Sequence, residues 1–281
     1  MINPLHTYQN SDGGWPYRPG GSSWTEPTVF ALLAGYATGN LTGRARALDW
    51  LRRMQRIDGG WTPKPGVDQS TWVTALVALL PPADLGSAAH FRAIRWLLDQ
   101  TPANATLSYR LRAWLDHTDA GESERGWSWL PGTAAWATPT AIATLALNQE
   151  CRRNPSALLN DRITSARKFL LAHRCADGGW NHGAAKALGF DAESYPETTG
   201  AALLAVAALD HNSIAPSIAR AEAWWNNCPS CEAASWLMLG LRAAGRAKAV
   251  PPPALKSRTI QDAALFTLAV AGDRGTQVFL P

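Results

Sequence analysis

Arg46-Ala47-Leu48-Asp49-Trp50-Leu51-Arg52-Arg53-Met54-Gln55-Arg56-Ile57-Asp58-Gly59-Gly60-Trp61 ends one helix, turns on a pair of glycines, and recurs. A second copy runs from Ala166 through Phe169, Leu170 and Arg174 to Asp177-Gly178-Gly179-Trp180. A truncated copy opens the chain at Gln9-Asn10-Ser11-Asp12-Gly13-Gly14-Trp15, and a worn one survives as Gly126-Trp127. Self-similarity at a period of several tens of residues means that no unit buries its apolar face alone, so neighbours must stack.

Outward from these turns the apolar residues recur at helical spacing, and no convincing alternating strand is found. The pattern predicts helices over about 25–38, 43–56, 70–80, 87–99, 104–117, 138–151, 158–174, 197–210, 216–226, 230–244 and 259–271. Breakers fall between them at Pro81-Pro82, Gly121, Pro131-Gly132, Pro155, Pro216 and Pro251-Pro252-Pro253. Two helix classes alternate. One carries a single apolar stripe, as in Ala47/Trp50/Leu51, Ala93/Trp96/Leu97, Ala166/Phe169/Leu170 and Ala221/Trp224/Trp225, with charged residues opposite. The other is small and apolar all round: Val29 to Ala34, Val73 to Leu80, Ala141 to Ala146, Gly200 to Ala208 and Ala263 to Ala271. A helix apolar on every side is buried on every side. The alternation therefore describes two concentric layers, an all-α fold in which five to six helical hairpins form an α/α toroid over residues 1–281 as one domain.

Composition narrows the functions. The chain has 281 residues, 46% hydrophobic and 17% charged, with a net charge of +4 whose Arg residues are scattered along the helices. That is a solvated surface, so no nucleic-acid partner is expected. Fourteen Trp outnumber 6 Phe and 5 Tyr, and Trp serves repeat packing, sugar stacking and cation–π sites alike. Met1 to Asn10 carries neither a basic nor an apolar leader region, no apolar run approaches the ~20 residues of a spanning helix, and four Cys do not make a disulfide scaffold. The expected compartment is the cytoplasm. Peripheral membrane contact, a homodimer and a second toroid subunit all remain open.

The stretch Arg46, Ala47, Trp50, Leu51, Gln55, Gly59 and Trp61 resembles the repeat of squalene and oxidosqualene cyclases and of protein prenyltransferase β subunits. The copy at Ala166 to Trp180 lacks the Gln, with Arg174 in its place. In that family the repeat is structural, so the resemblance implies a toroid whose most recognisable residues carry no chemistry. The chemistry is expected where the inner helices begin: Trp24-Thr25-Glu26-Pro27-Thr28, Asp68-Gln69-Ser70-Thr71-Trp72, Trp136-Ala137-Thr138-Pro139-Thr140 and Tyr195-Pro196-Glu197-Thr198-Thr199. These positions ring one mouth of the central cavity. Their Ser, Thr, Asp and Glu also read as helix caps and first-turn acids.

Class II terpene cyclases carry an Asp-x-Asp-Asp proton donor before an inner-helix Thr, and in that register Glu197 takes the place of the middle Asp while the flanking Asp residues are missing. The resemblance therefore implies an isomerase-like or lyase-like enzyme that binds an isoprenoid or another apolar small molecule and begins by acid catalysis from Glu197. Asp191, Glu193 or Glu26 would assist, and Trp24, Trp72, Trp136, Tyr195 and Asp68 would line the site. Two alternatives stand beside it: a non-catalytic toroid that binds a lipid or a protein, and a carbohydrate-active toroid using Glu26 and Glu197 as an acid/base pair. No cofactor is expected. Cys228-Pro229-Ser230-Cys231 begins a helix, where a lowered thiol pKa would permit redox or metal chemistry, with His173, Cys175 or His182 as zinc partners. The prenyltransferase zinc set needs Asp-x-Cys, which is absent, so these Cys read as packing residues and no metal is expected. His6, His90, His117 and His211 read as isolated surface residues.

Overall fold

The computed structural model describes residues 5–103, 125–183, 186–187, 190–246 and 255–280. A 3-10 turn at Leu5–Tyr8 precedes α1 (Thr25–Thr38), α2 (Arg44–Met54), α3 (Val73–Ala78), α4 (Pro82–Leu85) and α5 (Ser87–Asp99). Then come α6 (Ala137–Arg153), α7 (Ala157–Ala172), α8 (Pro196–Val206) and α9 (His211–Asn226). α10 (Cys231–Ala243), α11 (Ile260–Val270) and α12 (Asp273–Gln277) complete the order. The expected helix at 104–117, with His117, lies outside the described residues.

The fold is the α/α toroid. α1, α3, α6, α8, α10 and α11 follow one another as neighbours, and α11 packs back on α1, so the inner ring closes. Their middles are buried on all sides, from Val29–Ala34 to Ala233–Leu241. The outer helices α2, α5, α7 and α9 bury one stripe each. At the tightest crossing α8 meets α10 through Gly200 and Gly240, where a Cβ on Gly200 would stand 2.3 Å from the Trp236 carbonyl carbon.

The repeated turns explain the ring. In the copy at Arg46 to Trp61, Asp58 Oδ1 accepts from Gly60 N at 3.0 Å and from Ser70 Oγ at 2.8 Å, and Trp61 N donates to Thr74 Oγ1 at 2.8 Å. The buried Trp61 indole donates to Leu51 O at 2.7 Å, tying the turn to the helix before it. The same bonds recur with Asp12, Ser23, Trp15 and Thr28, and with Asp177, Ser194, Trp180 and Thr199. Gly59, at φ +92°, holds its Cα against Arg92 O of α5, where a side chain would collide. Gln55 Nε2 donates to Gly59 O at 3.0 Å and Ala89 O at 2.9 Å, clamping the turn to the next outer helix. Arg174 does the latter job in the copy without Gln, donating to Ser213 O at 2.8 Å in α9. In the worn copy Arg162 lies over the Trp127 ring at 3.4 Å and donates to Gly126 O.

A second set of bonds stitches the mouth. The residue two after each repeat Trp offers its carbonyl to the start of the preceding inner helix: Pro63 O to Thr25 N, Trp129 O to Trp72 N, and His182 O to Ala137 N. Tyr17 O receives Ile260 N at 2.8 Å, which carries the stitch from the last inner helix to the first. These carbonyls satisfy N–H groups that a helix start leaves without an intrahelical partner. That is how α1 and α6 begin without a side-chain cap, their N-cap positions holding Trp24 and Trp136, while α8 follows Tyr195 with Pro196, which has no N–H to satisfy.

Three expectations change. Pro216 lies inside α9 rather than before it; in the second turn it removes one bond, to Asn212 O, and the helix passes through. His90 is buried, its Nε2 3.1 Å from Ala78 O and its Nδ1 3.8 Å from Glu150, and burial lowers its pKa. The loop before α8 contains a short antiparallel hairpin, Lys186–Ala187 with Phe190–Asp191. No helix among the described residues is long and apolar enough to cross a membrane.

Candidate functional site at the toroid mouth

One register of the fold supplies the site: the second residue of an inner helix. Glu26 holds it in α1, Thr138 in α6, Glu197 in α8, Glu232 in α10 and Gln261 in α11. All five line one cavity of about 230 Å³. Its wall is Trp72, Trp129 and His182, and its floor is Phe30, Leu76, Ile142, Ala201 and Trp236. Trp72 and Trp129 meet edge to face with ring centres 4.7 Å apart. Acids in a first turn face the positive end of the helix dipole, so the fold favours carboxylates here.

The three carboxyls differ. Glu26 is held by two donors, Tyr17 Oη and Gln261 Nε2, the latter at 2.9 Å. Burial pushes its pKa up, and the two hydrogen bonds oppose that. Glu232 is pushed up to about 7, first by burial and then by the negative charges of Asp262, Glu197 and Glu26. Burial and the neighbouring Glu26 also raise the Tyr17 phenol, which keeps it a donor. Among the described residues no Lys or Arg lines the cavity. Among the described residues no group of three or more His, Cys, Asp or Glu comes together as a metal site.

Of the residues singled out in the sequence, Glu26, Glu197 and Trp72 reach the cavity. Trp24, Trp136 and Tyr195 do not line it, because each occupies an N-cap two positions before the inward-facing register. Trp24 packs on Tyr17 and under Lys64, while Trp136 and Tyr195 flank His182. Asp68 is fully exposed beside Arg56 at 3.8 Å, because the chain before α3 runs over the outer surface. Asp191 and Glu193 are exposed on the hairpin and its exit, away from the cavity. Ser70 is no cap, since its hydroxyl belongs to Asp58. The Cys228 and Cys231 thiols are raised by burial, the reverse of what a helix start would do. His173 stacks on Phe169 rather than joining Cys175.

Sequence reasoning missed Glu232, Gln261 and Trp129. Glu232 and Gln261 stand two after Ser230 and Thr259, as Glu26 and Glu197 stand two after Trp24 and Tyr195. Reading the register without requiring an aromatic residue would have found both. A separate groove of about 280 Å³, lined by Leu5, Trp15, Leu32, Leu41, Arg44 and Thr267 among others, carries no carboxyl among the described residues.

No protein-family model matches the sequence, and no curated protein matches it. Solved structures do match in shape. Endoglucanase Cel10, a family 8 glycosyl hydrolase from Klebsiella pneumoniae, aligns over 97% of this chain and 97% of its own at 14% identity and a TM-score of 0.62. A type II terpene cyclase from Scytonema aligns over 98% of this chain and 76% of its own, at 16% identity and a TM-score of 0.54. The ent-copalyl diphosphate synthase from Streptomyces platensis aligns over 88% of this chain and half of its own, at 16% identity and a TM-score of 0.55. At such identities the likeness is one of fold: the toroid is shared by glycosidases and terpene cyclases.

Proposed function

We propose that the protein is a hydrolase that cleaves a glycoside-like acetal by general acid/base catalysis at the toroid mouth. The observation that carries this reading is Glu232, a carboxyl pushed up to about 7 beside two further glutamates in a solvent-connected cavity. An acid that still holds its proton near neutrality suits protonation of a glycosidic oxygen, where bond breaking itself makes the oxygen basic. It is a poor acid for an alkene. The cavity is also smaller than the roughly 300 Å³ at which sites for drug-sized ligands begin, so a single ring enters while a polyprene would not.

In this reading Glu232 gives its proton to the leaving oxygen as the C–O bond breaks. Glu197 takes a proton from water as that water adds to the anomeric carbon, so the proton lost by one carboxyl is gained by the other. Glu26, locked by Tyr17 and Gln261, stabilises the positive charge that develops on the sugar ring. Trp72 and Trp129 offer faces for the ring to stack on.

The test uses soluble β-1,4-linked oligosaccharides and an aryl glycoside with an acidic phenol as leaving group. Glu232→Gln should slow oligosaccharide hydrolysis by about 10² to 10⁴-fold and spare the aryl glycoside, which needs no proton to leave. Equal loss on both substrates, or none on either, would remove Glu232 from the role of acid.

The apolar floor of Phe30, Leu76, Ile142, Ala201 and Trp236 favours a second reading, terpenoid cyclisation begun by Glu197. Consumption of a short isoprenoid that is lost in Glu197→Gln, with no sugar cleaved, would select it.

A further inference from the structure

The inner ring divides the mouth into two unlike arcs. From α8 through α10 and α11 to α1, the second helical residues are Glu197, Glu232, Gln261 and Glu26. Along α3 and α6 the cavity is lined instead by Trp72, Trp129, Thr138 and His182, none of them a carboxyl. Thr138 holds in α6 the position that glutamate holds in α1, α8 and α10. The acid/base chemistry gives Thr138 and His182 no task.

The fold nonetheless fixes both at the rim. Ala137, next to Thr138, donates its N–H to His182 O at 3.0 Å, which sets the two residues side by side. The buried Asn181 side chain accepts from Gly183 N at 2.9 Å and donates to Glu193 O at 3.2 Å, so the backbone on either side of His182 is tied down. The imidazole stands between Trp136 and Tyr195, with ring centres 5.6 and 5.0 Å away. These contacts hold the ring without using its nitrogens. Among the described residues no protein group hydrogen-bonds to either His182 nitrogen or to Thr138 Oγ1. His182 is exposed, and Thr138 Oγ1 is open to solvent.

A neutral imidazole and a hydroxyl each combine a donor with an acceptor, and neither carries charge. Their complement is a pair of neighbouring groups that can each give and take a hydrogen bond, as hydroxyls on adjacent ring carbons do. A carboxylate or phosphate would leave the acceptors unused, and an ammonium would leave the donors unused. The Trp72 and Trp129 rings beside them suit the C–H face of the same ligand.

Resting on the acid/base reading above, we propose that Thr138 and His182 are specificity-determining residues that bind adjacent hydroxyls of a neutral sugar ring entering the mouth. The substrate class is thus a neutral glycan with two neighbouring free hydroxyls.

Calorimetric titration of the full chain with a β-1,4-linked glucose trimer and its single-deoxy analogues tests this, with hydrolysis followed in parallel. Two deoxy trimers, lacking adjacent hydroxyls, should bind about 3- to 10-fold more weakly than the parent. One of these losses should vanish in His182→Phe, which keeps a ring between Trp136 and Tyr195, and the other in Thr138→Val. Losses of the same size in both variants and the unaltered chain overturn the assignment. So does equal binding of all deoxy trimers to the unaltered chain, a result that needs no variant to fold. Tighter binding of a charged trimer, of glucosamine or glucuronate, overturns the neutral class. If the glucose trimer is cut but its hydroxyls are not read through these residues, the acid/base reading stands without them. If they are read but nothing is cut, the acid/base reading falls and the binding arc remains. If no trimer binds, both fall.

Discussion

Glu232 ties stability to the chemistry proposed for it. Its carboxyl holds the proton more tightly in the folded chain, about 7 against 4.5, so its contribution to stability is fullest below pH 4.5 and is lost as pH climbs through 7. Glu232→Gln should therefore raise stability at pH 8 by on the order of 2 kcal/mol, less than the unscreened shift implies because the group is partly solvated. It should leave stability at pH 4 nearly unchanged; urea unfolding at the two pH values gives the comparison. Burial sets this window first and the charges of Asp262, Glu197 and Glu26 add to it, so a variant at any of these three moves it too. Glu26 and Glu197 were legible as site residues because an aromatic residue two positions earlier marks their register. Glu232 was not, because Ser230 marks only a cap: its side chain accepts from Ala233 N at 3.1 Å. Asp191 and Glu193 misled because acidity near a motif says nothing about which way a hairpin turns.

Among elements, the strongest predictions fall on the turns and on the closest helix pair. Thr74→Val leaves Trp61 N buried without its acceptor and should cost about 1 to 3 kcal/mol, while Thr74→Ser keeps the oxygen and should cost less than half of that. Gly200→Ala forces α8 away from α10 and should destabilise by about 1 to 3 kcal/mol, visible as a lower thermal midpoint. Most helix spans follow from the apolar periodicity, and those at Thr25–Thr38 and Ser87–Asp99 coincide with it at both ends. The failures have local causes. α4 is too short for periodicity to register, and Pro216 reads as a breaker although one missing bond near a helix start is tolerated. Arg174 and Arg162 show why the worn repeats were hard to score: each keeps the clamp or the ring contact with a different side chain.

For the whole molecule, closure is the governing feature. α11 packs on both α10 and α1, Gln149 of α6 donates to Val278 O at 2.7 Å, and Ile260 N reaches back to Tyr17 O. Removing residues 255–280 should therefore strip one side of α1 and cost the chain its cooperative melt, rather than trimming a tail; circular dichroism on heating reads this directly. Two nested layers were legible because amphipathic and wholly apolar helices alternate. The stitching of the mouth was not, since it uses backbone carbonyls that no side-chain pattern reveals.

The bond between Glu26 and Gln261 joins residues 235 apart. A ribosome therefore makes the first carboxyl of the mouth long before its partner. Until α11 emerges, the nascent protein holds an open arc in which Glu26 has Tyr17 but lacks Gln261, so ligand binding waits on that helix.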